Sequence, residues 1–269
     1  MATNHYTLTQ KQLIILKLLY RFRFISSDLL SKSTGINQNT INKRLTLLME
    51  QGYIGRNYDP EYHLLRKPAS YYLLPPGIKK LKELPGTKYD ATMLRTIRKD
   101  ESAGEQFIGH RLNVFSVYCT LKARYGDDMQ FFTKSQLAAL DHFPKPLPDA
   151  YIQVGNDSNR IHFFLDILHE VQPFFLSTRK IIQYKEYAQK GRWSTTQTKL
   201  PKILLICDSP AHEKRLTKHM RRVIASSKGW DAIFSTAVMG QDGSISTWRN
   251  MADADLSDRS QQTKTAPKL

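Results

Sequence analysis

Residues 26–54, SSDLLSKSTGINQNTINKRLTLLMEQGYI, hold two helices and the tight turn between them. Ser26-Ser27-Asp28 offers hydroxyl and carboxylate groups to cap the first helix, and Thr34-Gly35-Ile36-Asn37 makes the turn. The second helix runs from about Gln38 to Gln51 and stops at Gly52. Ile41, Leu45 and Leu48 recur at i, i+4 and i+7, so that face packs inward. Asn39, Asn42, Lys43 and Thr46 fall on the opposite face, with Gln38 at its start, and the only acid in the helix is Glu50 near its far end. Asn can pair with the major-groove edge of adenine, and Lys reaches guanine or phosphate.

Working outward, an apolar-periodic helix from Leu8 to about Phe22 precedes this pair. Two short strands, Tyr53-Ile54-Gly55 and Ser70-Tyr71-Tyr72-Leu73-Leu74, follow it around a basic loop. Three helices and a strand pair in that order predict a winged helix-turn-helix. The loop carries Arg56, Arg66 and Lys67 with Tyr58 and Tyr62 between them, a composition suited to lying along phosphates. Pro75-Pro76-Gly77 opens a further helix, Ile78 to Leu84, whose apolar face either covers the module or forms a dimer contact.

Charge and length set limits on the rest. The 269 residues carry a formal charge of +16, and 269 residues suffice for two cores. Residues 1–100 hold 17 basic and 7 acidic side chains, residues 101–269 hold 23 and 17, so the excess is denser in the first part. Such a balance favours nucleic acid as partner over an acidic small substrate or a membrane, and the expected winged helix makes that partner double-stranded DNA, bound sequence-specifically. No apolar run approaches a membrane span, and the N-terminus lacks a signal-peptide pattern, so the expected location is the cytoplasm. Cys119 and Cys207 lie far apart in apolar stretches and read as buried free thiols, and the eight His show no metal spacing.

A linker is expected at 85–100, where Pro85-Gly86-Thr87 breaks the helix and a polar, basic run follows. Residues 101–245 read as an α/β domain: a helix from Glu101 to Tyr125, strands at 129–132, 149–154 and 161–168, and a helix at 177–190. A strand at 202–207, a helix at 211–227 and a last strand at 231–239 complete it. Residues 246–269 form a polar tail expected to be disordered. The predicted class is therefore mixed α+β, a winged helix-turn-helix followed by an α/β domain. Lys214, Arg215, Lys218, Arg221 and Arg222 form a basic stripe on one helix, a possible second grip on phosphate or a solvated face. Trp193, in Gly191-Arg192-Trp193, reads equally as a stacking side chain or a core anchor.

Helix, three strands, helix, strand, helix, strand is the order of the restriction-endonuclease-like core. With the opening Leu8-Thr9-Gln10-Lys11-Gln12, Tyr71-Tyr72-Leu73 before Gly77, His110-Arg111-Leu112, Pro148-Asp149-Ala150, Phe163-Phe164-Leu165-Asp166 and the helix with Lys180 and Tyr184, residues 8–84 and 105–239 resemble the replication-relaxation family of plasmids and other mobile elements. The resemblance implies a winged helix joined to a nuclease-like domain and a role in replication, mobilisation or their control. A relaxase or replication protein is then an expected partner, and a homodimer is possible.

A nuclease of this fold needs two carboxylates for a divalent metal and usually a lysine. Asp149 and Asp166 match the carboxylates, but Leu168 stands where the lysine belongs. Lys180 or Lys185 on the next helix is a relocated candidate, and Glu101 or Glu105 a possible extra ligand. The missing lysine favours a binding protein without cofactor. The alternative is a Mg2+- or Mn2+-dependent endonuclease or nickase using Asp149 and Asp166.

Overall fold

The computed structural model describes residues 8–59, 61–64, 67–84, 91–156, 159–224, 233–240 and 243–250. The chain divides into two compact units, Met1–Cys119 and Thr120–Leu269.

In the first unit, α1 (Gln10–Phe22) starts at a capping box: the Gln12 N–H donates to Thr9 Oγ1, and the Thr9 N–H donates to Gln12 Oε1. Its buried face is Ile15, Leu16, Leu19 and Phe22. Then come β1 (Ile25–Ser26), α2 (Ser27–Thr34), α3 (Gln38–Glu50), β2 (Ile54–Asn57), the one-turn α4 (Glu61–Leu64), β3 (Ser70–Leu73), α5 (Pro75–Lys82) and α6 (Ala91–Ile97). The strands form an antiparallel sheet in the order β1-β3-β2. Three helices and the β2–β3 pair thus occur in the expected order, with β1 as an addition. Gly35 ends α2 at φ 67°, a left-handed conformation that an L side chain adopts only with strain.

Two local expectations need correction. Ser26 makes no side-chain cap to α2, because its backbone is committed to β1 opposite Ser70 and its hydroxyl is buried. The described part of the expected linker is also not a spacer. Leu94 and Ile97 of α6 are buried, and a 3-10 turn (Asp100–Ser102) places Asp100 against Arg23. The Arg23 Nε donates to Asp100 Oδ2 at 3.2 Å, a terminal nitrogen pairs with Oδ1, and the same nitrogen donates to the Thr96 carbonyl at 3.2 Å. Residues 85–90 lie outside the described residues.

Helix α7 (Glu105–Tyr125) follows. Its residues up to Cys119 serve the first unit's core: Phe115 and Tyr118 lie 4.7 and 4.9 Å from Phe22, ring centre to ring centre, and Ile108 packs with Phe24 and Tyr72. The boundary therefore falls inside α7 at 119/120, not at 100. The polar composition of 88–99 hid Leu94, Ile97 and the Arg23–Asp100 pair.

The second unit contains β4 (Met129–Thr133), α8 (Lys134–Leu137), β5 (Ala150–Val154), β6 (Ile161–Leu168), α9 (Phe174–Gln189), β7 (Lys202–Cys207), α10 (Pro210–Ile224), β8 (Phe234–Val238) and β9 (Arg249–Asn250). They build a six-stranded sheet in sequence order. β4, β5 and β6 form an antiparallel meander, β6, β7 and β8 run parallel, and β9 returns antiparallel to β8. Parallel neighbours need crossovers, which α9 and α10 supply. The β5–β6 hairpin turns at Gly155, φ 104°, where a Cβ would lie 2.5 Å from the Asn159 carbonyl. Side-chain alternation puts Tyr151, Phe164, Leu168, Ile203, Leu205 and Cys207 on one sheet face. They pack there with Ile181, Tyr184 and Tyr187 of α9 and Leu216 and Met220 of α10. Arg249–Asn250 is strand, not disordered tail; residues 251–269 lie outside the described residues. Among the described residues no helix is long and apolar enough to cross a membrane.

Each unit holds one free, buried cysteine, Cys119 and Cys207. Burial pushes each thiol up to about 12.

Candidate functional site

Helix α3 separates two chemistries. Ile41, Leu45 and Leu48 are fully buried. Gln38, Asn39, Asn42, Lys43 and Thr46 are all exposed, within an arc of about 140° at 100° per residue. The Asn39 N–H donates to Asn37 Oδ1 at 2.9 Å, so Asn37 is the N-cap rather than only a turn residue. The result is a fixed rod presenting amide, ammonium and hydroxyl groups outward.

The wing residues that are described form a stacked series. The Arg56 guanidinium lies 4.5 Å from the Tyr58 ring centre, Tyr58 meets Tyr62 edge to face, and the Lys67 ammonium lies 5.4 Å from the Tyr62 ring centre. Arg66 lies outside the described residues. Sequence reasoning missed a competitor. Glu105, the first residue of α7, accepts the Tyr62 hydroxyl at 3.0 Å and lies 3.6 Å from Lys67. Desolvation, with the Glu105 bond, raises the Tyr62 hydroxyl above its ordinary value and keeps it protonated. Glu105 thus offsets the charge of Lys67, and its carboxylate is engaged there. Glu101 is exposed at the 3-10 turn.

In the second unit, the β5–β6 register sets Asp149 opposite Asp166. The Asp149 N–H donates to Asp166 Oδ1 at 3.3 Å, and the Ile167 N–H donates to Asp149 Oδ2 at 3.0 Å. Lys180 from α9 lies 3.0 Å from Asp166 Oδ1 and donates to the Leu147 carbonyl at 3.1 Å; the Tyr184 hydroxyl donates to Asp166 Oδ2. Lys180 thus reaches the carboxylates from the helix, whereas Lys185 donates to the Val223 carbonyl. Asp149 and Asp166 are 6 % and 2 % exposed. Burial raises the Asp166 carboxyl, Lys180 works against that, and Asp149 adds to it. Two carboxylates on neighbouring strands are suitable in type for Mg2+ or Mn2+, but Lys180 already occupies the cation position beside Asp166. Among the described residues no group of three or more His, Cys, Asp or Glu is placed to hold a metal.

On α10 the stripe is present. Lys214, Arg215, Lys218 and Arg222 are exposed and Arg221 is half-buried, within an arc of about 120°. Arg215 lies 4.0 Å from the Phe174 ring centre. The opposite face is buried and includes Glu213, which accepts from Thr236 Oγ1 at 2.8 Å and from Arg249 at 3.3 Å. A loop cluster went unread in the sequence. Asp208 accepts the Glu170 N–H and pairs with His212 Nδ1 at 3.1 Å, while Ser209 Oγ donates to Glu170. Burial tends to raise the Asp208 carboxyl, but the Glu170 N–H and His212 outweigh it and hold it below its ordinary value. Trp193 is a core anchor, buried, its indole N–H donating to Thr198 Oγ1 and the Lys199 carbonyl.

One unit presents an outward polar helix and a basic loop between β2 and β3, and the other a mixed sheet carrying a carboxylate–lysine cluster, a mixed α+β architecture. The family described as replication-relaxation matches residues 16–203, and the chain belongs to that family. No curated protein matches. Among solved structures, the chain is similar to the restriction endonuclease FokI at 14% identity and a TM-score of 0.33, covering 88% of this chain and 44% of that one. The chain thus spans less than half the length of that structure.

Proposed function

We propose that the first unit is a winged helix-turn-helix that binds double-stranded DNA sequence-specifically. The observation that carries this is the exposed face of α3: five polar or basic side chains, Gln38, Asn39, Asn42, Lys43 and Thr46, on a helix anchored by three fully buried ones. Helix α3 enters the major groove, with Asn39, Asn42, Lys43 and Thr46 toward base edges. Arg56 and Lys67, with Arg66, hold phosphates and set the register. The α10 stripe adds contact with phosphate that reads no sequence. Membership of the replication-relaxation family supports a role in replication or mobilisation of a plasmid or other mobile element, in the cytoplasm, alongside a relaxase or replication protein.

The test is selection of bound fragments from plasmid and genomic DNA, followed by titration of the enriched duplex. Asn42→Ala with Lys43→Ala is expected to weaken that duplex about tenfold or more, since a good paired base contact contributes about 1–3 kcal/mol. Equal binding by the double variant sinks the reading.

One observation favours a second reading, metal-dependent nicking by the second unit. Lys180, 3.0 Å from Asp166, supplies the lysine that β6 lacks at Leu168. Only with Lys180 displaced from its place beside Asp166 would Asp149 and Asp166 hold Mg2+ or Mn2+, which would supply activation of water and charge stabilisation at the leaving oxygen. Lys180 would orient the scissile phosphate. Supercoiled DNA left intact with either metal removes this reading; nicking lost in Asp166→Ala supports it.

A further inference from the structure

The second unit contains a cavity of about 290 Å³ that neither reading uses. Its walls are the rings of Phe132, Phe143, Tyr151 and Trp193. They brace one another: Phe143 and Tyr151 lie 5.5 and 5.7 Å from Trp193, ring centre to ring centre, and Phe132 stacks on Tyr151 at 5.9 Å. No Asp, Glu, Lys or Arg lines it. The polar groups at one end are Gln153 and His162.

Gln153 Nε2 donates to the Tyr151 oxygen at 2.9 Å, and the Tyr151 hydroxyl shares a hydrogen bond with His162 Nδ1. Burial, then Arg160, lowers the His162 imidazole below its ordinary value, so the ring is neutral near pH 7. The cavity thus combines aromatic walls with an uncharged amide and a neutral imidazole, a combination suited to a flat, uncharged ring bearing polar edge atoms. Positive charge lies just outside. Arg160 donates to Gln153 Oε1 at 3.5 Å, and Lys199, whose carbonyl accepts the Trp193 indole, is exposed.

We infer that this cavity receives an unstacked nucleobase of single-stranded DNA, with Arg160 and Lys199 attracting the adjoining phosphates. Bases are flat, neutral and rich in acceptors, and aromatic platforms flanked by cations are the general means of holding single strands. Tyr151 and Gln153 lie on the same sheet face as Asp149, with Gln153 about 13 Å along the strand at 3.3 Å per residue. A strand held here therefore runs toward the carboxylate–lysine cluster. The inference does not depend on duplex recognition by α3.

The test uses the full chain and three probes: a 12-nucleotide oligo(dT), a 12-unit abasic strand of the same charge, and free thymidine. Oligo(dT) is expected to bind about 5- to 150-fold more tightly than the abasic strand, the range of one to three kcal/mol for a stacked base. Leu140, 40 % exposed at the cavity, accepts substitution without disturbing the core. Leu140→Glu and Phe132→Ala are each expected to erase most of that ratio. Leu140→Glu leaves binding of the α3-selected duplex unchanged, so the two readings fail separately. Equal binding of abasic strand and oligo(dT), no binding of either, or unaffected variants would overturn the inference. Thymidine binding as tightly as oligo(dT) would also overturn it, in favour of a nucleoside site.

Discussion

Replacing Asp100 by Ala tests where the first unit ends. The Asp100 carboxylate is buried and satisfies the Arg23 guanidinium through both oxygens, leaving that guanidinium one further acceptor, the Thr96 carbonyl. Desolvation raises the Asp100 carboxyl, and Arg23 opposes it, as expected for a paired ion inside a core. In Asp100→Ala, Arg23 stays buried at the end of α1 with its charge uncompensated. Breaking a buried pair this way costs about 3–5 kcal/mol, a large part of a typical domain's stability of about 5–15 kcal/mol. Replacing Arg23 and Asp100 together by Met and Leu removes both charges and is expected to recover much of the loss. The assay exploits the placement of the tryptophans. Trp193, Trp230 and Trp248 all follow residue 119, so tryptophan emission reports the second unit, while far-ultraviolet circular dichroism reports both. In urea, Asp100→Ala should move part of the dichroism transition to lower denaturant and leave the emission transition in place. A loss under about 1 kcal/mol, which is the scale of an exposed ion pair, or an equal shift of both signals, would refute the argument that 91–119 are built into the first unit.

Glu105→Gln removes the charge beside Lys67 while leaving Tyr62 an acceptor, so duplex binding should tighten by up to about fivefold, with a salt dependence steeper by about one counterion; unchanged affinity in a gel-shift series at two salt concentrations contradicts this. Lys180→Met removes the partner of buried Asp166 and should cost about 3 kcal/mol at pH 8. A carboxyl raised on folding binds more protons folded than unfolded, so its contribution is fullest below its unfolded value and is lost as pH rises through the folded one. The variant's deficit, followed by urea midpoint in tryptophan emission, should therefore shrink from pH 8 to pH 5, and equal deficits at the two pH values would count against the pairing.

Much of the fold was legible because it is written in short-range periodicity. Ile41, Leu45 and Leu48 located α3 to within a residue, and the apolar run from Lys202 to Cys207 gave β7 its exact bounds. What was not legible depends on partners distant in sequence. β1 is two residues long and exists because Ile25 and Ser26 find Tyr71 and Ser70. Asp100 meets Arg23 across 77 positions. The candidate sites divide in the same way. The nuclease pattern of carboxylates on successive strands picked out Asp149 and Asp166 together, yet only packing of α9 selects Lys180 over Lys185. The aromatic cavity left no trace in the sequence, since Phe132, Phe143, Tyr151 and Trp193 come from four separate segments.

The two buried cysteines carry a consequence for kinetics. With each thiol near 12, about one in ten thousand is thiolate at pH 8, and both residues are buried in the folded chain. A thiol reagent therefore reacts only when the surrounding structure opens. Because Cys119 belongs to one unit and Cys207 to the other, the native protein carries two opening clocks, one placed in each half. Single-cysteine variants would time either half with no added label.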